Sequence, residues 1–268
     1  MPRSRARSLL NQVLDAANSV TQPVLLDAEN VPRSGPVMLV GNHTLLGVQD
    51  VPSMVRELER QRGVTLRPLG DRFHFAVPGW GELLTRLGAV CGTRENCAEL
   101  LAAGEAVVVF PGGAREVFKR KDQKYELLWG ERTGFARMAI QASCPIVPFG
   151  AVGAEDSFKV VLDVDDALGW PVRQVARKVG REDFATAMLR GSGPAMLPSP
   201  ERLYFRFGTP IDTSTWAGLH EEAAARDECR DHVRSEVQAQ VDFLLAYRED
   251  DPDRGFVRRA ASALRKSI

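Results

Sequence analysis

The chain has 268 residues, 44% of them hydrophobic and 26% charged, which is enough apolar material to bury the core of one large domain. Its 35 lysines and arginines balance 35 aspartates and glutamates, so no global basic field points to nucleic acid as a partner. Four cysteines, Cys91, Cys97, Cys144 and Cys229, lie far apart without a CxxC pair, which suggests neither a disulfide framework nor a metal site and fits a reducing cytoplasm.

At the N-terminus, Arg3, Arg5 and Arg7 precede Leu9, Leu10, Val13 and Leu14, and the spacing predicts a helix over 8–20. The apolar stretch is too short for a signal peptide, and no window reaches the roughly 20 apolar residues that span a bilayer. Such a helix can lie in an anionic membrane interface or pack on the body of the fold, and the pattern leaves both open. Strand-like segments follow at 37–41, 65–69 and 88–91, with helices near 52–62 and 80–87 between them. A helix over 95–103 leads into strand 106–110, and a helix over 131–143 into strand 145–149. This alternation predicts an α/β fold, a single domain with a central, largely parallel mixed sheet flanked by helices. Residues 203–207 alternate inward and outward positions as a sheet-edge strand does. A long amphipathic helix over 219–247 and a basic one from 254 close the chain.

In such sheets functional groups gather where strands end and helices begin. Residues 37–52, VMLVGNHTLLGVQDVP, place one of only four histidines at such a point. His43 ends the first strand, and Asp50 stands before the next helical pattern. There a carboxylate can cap the helix, orient an imidazole, or do both, and the two together would form a general-base dyad. A second strand, Val107-Val108-Val109, runs into Phe110-Pro111-Gly112-Gly113 and then Ala114-Arg115-Glu116. Glycines let that backbone approach a ligand, and the arginine can grip a phosphate or carboxylate with two hydrogen bonds. A surface Arg–Glu pair beside a structural turn is the plainer reading of the same residues.

Four blocks, GNHTLLGVQD, CGTREN, VVVFPGGAREVFKRK and CPIVPFG, occur in the order and approximate spacing of the glycerolipid acyltransferase superfamily, which includes the lysophosphatidate acyltransferases. FPGGARE, with Tyr125-Glu126-Leu127-Leu128-Trp129 and Gly134-Phe135-Ala136-Arg137-Met138-Ala139 after it, resembles the diacylglycerol acyltransferase and phytyl ester synthase branch. The likeness runs over about 24–212, which implies an acyltransferase core between an N-terminal amphipathic helix, 1–23, and a C-terminal helical segment, 213–268. It implies acyl transfer from acyl-CoA or acyl-carrier protein to a lipid hydroxyl, without a cofactor or metal. His43 would be the general base and Asp50 its orienting carboxylate. Arg94, Glu95, Pro111, Gly112, Gly113, Arg115 and Glu116 would bind substrate, the arginines and glycine amides meeting an anionic group or the developing oxyanion.

Two departures from the superfamily pattern stand out. Six residues separate His43 from Asp50 where four are usual, with Val48 at the expected acidic position. Gly112 and Ala114 replace the glutamate and threonine of Phe-Pro-Glu-Gly-Thr-Arg. The loss of two polar contacts favours a neutral acceptor, diacylglycerol or a long-chain alcohol, with a lysophospholipid as the alternative. Lys119, Arg120 and Lys121 could receive coenzyme A phosphates, while His74 reads better as a structural histidine. The mixed apolar and basic region 167–197 and the run Arg258, Arg259, Arg265, Lys266 are further candidates for peripheral contact at the inner face of the membrane. A serine esterase would need Gly-x-Ser-x-Gly after a strand, and none occurs. A non-catalytic lipid-binding protein is the other rival.

Overall fold

The computed structural model describes residues 2–44, 49–117, 119, 123–157, 159–162, 188–190 and 199–266. Arg120, Lys121 and the region 167–197 lie outside the described residues, except for Met188–Arg190, and so do the side chains of Arg3, Arg5, Arg7, Arg265 and Lys266.

In chain order the elements are α1 Pro2–Thr21, β1 Val24–Leu26, β2 Val37–Gly41, α2 Asp50–Arg62, β3 Leu66–Gly70, α3 Arg72–Ala76, α4 Trp80–Arg86, β4 Val90–Cys91, α5 Arg94–Ala102, β5 Ala106–Val109 and α6 Ala114–Val117. Then come α7 Gly134–Gln141, β6 Ile146–Val152, β7 Lys159–Leu162, β8 Met188–Arg190, β9 Tyr204–Phe207, α8 Ala223–Glu249 and α9 Phe256–Lys266. Seven strands form one sheet in the order β1-β9-β6-β2-β5-β3-β4, parallel throughout except for the antiparallel β6–β9 pair. This is the expected mixed α/β sheet flanked by helices. β7 and β8 make a separate antiparallel pair.

All five residues of β2 and all seven of β6 are buried, because central parallel strands are covered on both faces and therefore read as continuous apolar runs. On one face Met38, Val40 and Val107 meet Phe135, Ile140 and the stripe Cys229, Val233 and Val237 of α8. On the other, Leu39 and Val108 meet Met54 and Leu58 of α2 together with Phe149 and Phe207. The four-residue spacing of the α8 stripe is the 3.6-period signal of a helix with one buried face.

Two expectations need correction. β9 is not an edge strand, since it lies between β6 and β1 and its Tyr204, Phe205 and Phe207 are all buried. The edge on that side is the three-residue β1, too short to show a period of its own. Asp50 is not the cap of α2 either, because Gln49 holds the N-cap position and Asp50 is the first residue of the helix.

α1 docks on α2 through polar groups. Asn18 Nδ2 donates to Glu57 Oε1 at 3.0 Å, Ser53 Oγ donates to Asn18 Oδ1 at 2.7 Å, and the Arg56 guanidinium bridges both oxygens of Asp15 at 2.7 and 2.8 Å. Leu9 and Val13 of the same helix remain 63% and 64% exposed. No described helix is long and apolar enough to cross a membrane.

Candidate active site

β2 and β5 are paired in parallel register, Val40 beside Val109, so the turns that follow them emerge side by side at the carboxyl ends of the strands. The first turn carries Asn42, His43 and Thr44; the second carries Phe110, Pro111, Gly112 and Gly113. Asn42 is fully buried and locks its turn to the neighbouring strand, donating from Nδ2 to the Ala151 carbonyl at 2.9 Å and accepting the Ala151 N–H on Oδ1 at 2.8 Å. Gly41 is required just before it, because a Cβ there would lie 2.5 Å from the Phe149 ring.

The His43 imidazole stacks on Phe110 with centroids 4.3 Å apart and planes 23° from parallel. Burial drives its pKa down from 6.5 to about 4, the nearby Asp50 charge opposing the shift and Lys119 and His74 adding to it. The ring is therefore neutral at physiological pH, as a base must be. It is half-buried, not the surface group that its place in a turn suggests.

Asp50 is buried, and its Oδ2 accepts the Thr44 hydroxyl at 2.6 Å. Its Oδ1 and His43 Nδ1 are both buried without a hydrogen-bond partner among the described residues. The expected His43–Asp50 hydrogen bond is thus absent, yet two unsatisfied atoms of complementary chemistry lie within electrostatic range. A buried polar atom left unpaired costs about 1–3 kcal/mol, so pairing the two would relieve that cost at both atoms.

Glu116 ties the two turns together. It is fully buried in α6, accepts the His43 main-chain N–H on Oε2 at 2.7 Å, and accepts the Leu128 N–H on Oε1 at 2.9 Å. Its carboxylate fills the space beside Gly112, where a Cβ would lie 2.1 Å from Glu116 Cδ. This explains the glycine at that position of the third block: a side chain there would displace the Glu116 carboxylate. Burial pushes the Glu116 pKa up to about 7, against the opposing pull of Lys119 and the two main-chain N–H groups.

The other residues named from sequence lie around this core. Pro111 and Gly112 are buried in the turn, and Gly113 donates its N–H to the Phe110 carbonyl at 3.0 Å, so that amide is already engaged. Arg94 and Glu95 are exposed at the start of α5, where Thr93 caps the helix by accepting the Asn96 N–H at 3.1 Å. Arg115 is exposed, with its guanidinium near Gly130. Lys119 is unsuited to coenzyme A phosphates, because it is buried in an ion pair with Glu155 at 2.7 Å. Sequence reasoning missed Arg132, whose Nη1 donates to the carbonyls of Pro111 at 3.1 Å and Gly112 at 2.5 Å and so clamps the turn. No local pattern marks an arginine 20 residues away as that clamp.

A cavity of about 470 Å³ opens beside the imidazole. His43 and Phe110 stand in its wall, Val51 and Val55 of α2 and Leu69 of β3 continue it, and Leu10 and Leu14 of α1 close it. Arg94, Glu95, Arg115 and Glu116 do not line it. The arrangement offers a neutral base in the wall of a largely apolar chamber.

Residues 24–152 match the acyltransferase family. The chain is 32% identical over 256 residues to phytyl ester synthase 2, chloroplastic, of Arabidopsis thaliana, covering 88% of this chain and 36% of that one. It is 34% identical over 131 residues to the human DGAT1/2-independent enzyme synthesizing storage lipids, covering 49% of this chain and 40% of that one. Its fold is similar to the crystal structure of PlsC, the 1-acyl-sn-glycerophosphate acyltransferase of Thermotoga maritima, with a TM-score of 0.50, 15% identity, and coverage of 88% and 82%. The chain spans about a third of the length of the phytyl ester synthases it matches.

Proposed function

We propose that this chain, which belongs to the acyltransferase family over residues 24–152, moves a fatty acyl group from a thioester to the hydroxyl of a neutral lipid or long-chain alcohol. The observation that carries the reading is the apolar 470 Å³ cavity with the neutral His43 imidazole in its wall, a chamber suited to hydrocarbon and a base suited to a hydroxyl.

In this reading His43 takes the proton of the acceptor hydroxyl as its oxygen attacks the thioester carbonyl. The new C–O bond forms, the carbonyl π pair moves to oxygen, and collapse breaks the C–S bond. The departing thiolate then recovers the proton from His43, leaving an ester and a free thiol. Asp50 stabilises the transient imidazolium through its negative charge, and Glu116 and Asn42 hold the turn that carries the ring. The printed names of the relatives, a phytyl ester synthase and an enzyme of storage lipids, support a neutral acceptor. The donor is acyl-CoA or acyl-carrier protein.

Lipid substrates reach the cavity from a membrane surface in this account. Leu9 and Val13 on the open side of α1, next in sequence to the cavity-lining Leu10 and Leu14, support peripheral attachment through that helix at the inner face of the membrane. The test is ester formation from palmitoyl-CoA and palmitoyl-acyl-carrier protein with diacylglycerol, a long-chain alcohol or lysophosphatidate. Thiol release matched by ester on the neutral acceptors is the expected result. Preference for lysophosphatidate would select the phosphorylated alternative, thiol release without ester would indicate a hydrolase, and no thiol release would indicate a binding protein.

A further inference from the structure

A second imidazole belongs to the same chamber. His74 lines the cavity together with His43, and the two are close enough for charge on one to be felt at the other. Its helix is firmly seated. Asp71 caps α3 by accepting the Phe73 N–H at 2.8 Å, and α4 runs so close behind that a Cβ on Gly81 would lie 2.8 Å from the Phe75 carbonyl oxygen. Trp80, also in the cavity wall, donates its indole Nε1–H to His74 Nδ1 at 3.3 Å.

That hydrogen bond settles the tautomer. A neutral imidazole has one N–H, and when Nδ1 is an acceptor the proton sits on Nε2. Nothing among the described residues accepts the Nε2–H. The chamber therefore holds two histidines of opposite character, a base at His43 and an oriented donor at His74. The glycine turn is a poor source of such a donor, since neither Gly112 nor Gly113 lines the cavity and the Gly113 N–H is bonded to Phe110.

We infer that His74, held as its Nε2–H tautomer by Trp80, is a catalytic hydrogen-bond donor to the thioester carbonyl oxygen of the acyl donor. The inference rests on the acyl-transfer reading of the cavity. As the acceptor oxygen adds to the carbonyl carbon, negative charge develops on the carbonyl oxygen and the Nε2–H strengthens its bond to it. The proton stays on His74 throughout; His43 alone transfers one. A hydrogen-bond donor that meets a developing oxyanion is typically worth about 10²–10³ in turnover.

The test is steady-state ester formation from palmitoyl-CoA and a long-chain alcohol by wild type, His43→Ala, His74→Phe, His74→Gln and Trp80→Phe, each checked for folding by its melting temperature. His74→Phe keeps a flat ring and loses the donor, so kcat should fall about 10²–10³ while KM changes little. His74→Gln keeps an N–H and should recover part of the loss. Trp80→Phe frees the tautomer and should lower kcat by a smaller factor. A folded His74→Phe with wild-type kcat overturns the inference, and so does an equal loss in His74→Phe and His74→Gln, which would mean that the imidazole serves packing. If wild type forms no ester from palmitoyl-CoA or palmitoyl-acyl-carrier protein with the long-chain alcohol, diacylglycerol or lysophosphatidate, the acyl-transfer reading fails and takes this inference with it. If wild type is active and His43→Ala is not, an unaffected His74→Phe removes this inference alone.

Discussion

An alanine at position 112 would bring its Cβ to 2.1 Å from Cδ and 2.5 Å from Oε2 of Glu116. Gly112 does not have a positive φ, so the obstacle is space rather than backbone strain. The carboxylate would have to swing away from the main-chain N–H groups of His43 and Leu128, which it now holds at 2.7 and 2.9 Å. Hydrogen bonds to charged groups contribute about 1.5–3 kcal/mol each, so displacement from both sets an upper range of about 3–6 kcal/mol. With partial relaxation Gly112→Ala should cost about 3 kcal/mol, on the order of a hundredfold in the unfolding equilibrium. Because the Glu116 pKa is raised to about 7, the measurement belongs at pH 8, where the carboxylate is ionised. Urea unfolding of Gly112→Ala, Glu116→Ala and the double variant closes a cycle. In the double variant the new methyl occupies space the carboxylate has left, so its loss should be smaller than the sum of the singles by about 0.5–3 kcal/mol. An alanine variant within 0.5 kcal/mol of wild type, or a strictly additive cycle, would refute the view that Glu116 and Gly112 form one packed unit under His43.

Asp50→Asn retains an acceptor for the Thr44 hydroxyl but removes the charge that favours the imidazolium, so turnover should fall about tenfold or more with little change in melting temperature. Unchanged turnover would show that His43 works without Asp50. Because burial holds His43 near 4, kcat/KM should stay level down to about pH 5; an acid limb at 6.5 would place the essential base elsewhere. In urea titrations the two shifted groups have opposite slopes. Between pH 4 and 6.5 the unfolded chain binds the proton that folded His43 lacks, so stability falls as pH drops; between 4.5 and 7 the folded chain retains the proton on Glu116, so stability falls as pH rises. His43→Ala should abolish only the first slope. Leu9→Asp with Val13→Asp changes residues that are 63% and 64% exposed, so it should leave stability nearly intact while weakening vesicle co-sedimentation and activity on membrane-borne acceptors; undiminished sedimentation would exclude α1 as the attachment.

Much of the fold was legible because its signals are local. The apolar runs at β2, β5 and β6 and the helical period of α8 are short-range patterns, and their boundaries agree with the expected ones to within a few residues. β1 escaped notice because three residues show no period, and β9 read as an edge because Arg206 breaks its apolar run, although that side chain turns outward to donate to Asp27 Oδ2 at 2.7 Å. At the site, the four blocks identified the two turns but not how they join. That depends on Glu116 reaching under Gly112, on Arg132 folding back over the turn, and on Asn42 crossing to Ala151, contacts separated by 4 to 109 positions. His74 looked structural from sequence because nothing near it announces a cavity; only the packing of α3 on α4, with Phe75 against Gly70 of β3, brings it into the same chamber as His43.

The central claim is that His43 is the base of an acyl transfer to a lipid hydroxyl. Its most direct test is the simultaneous measurement of free thiol and ester from palmitoyl-CoA and a long-chain alcohol, by wild type and by a His43→Ala protein shown to be folded. The account predicts thiol and ester in equal amounts from wild type, and a loss of about 10²–10⁴ in both from His43→Ala. Thiol without ester from wild type, or ester at the wild-type rate from folded His43→Ala, would contradict it.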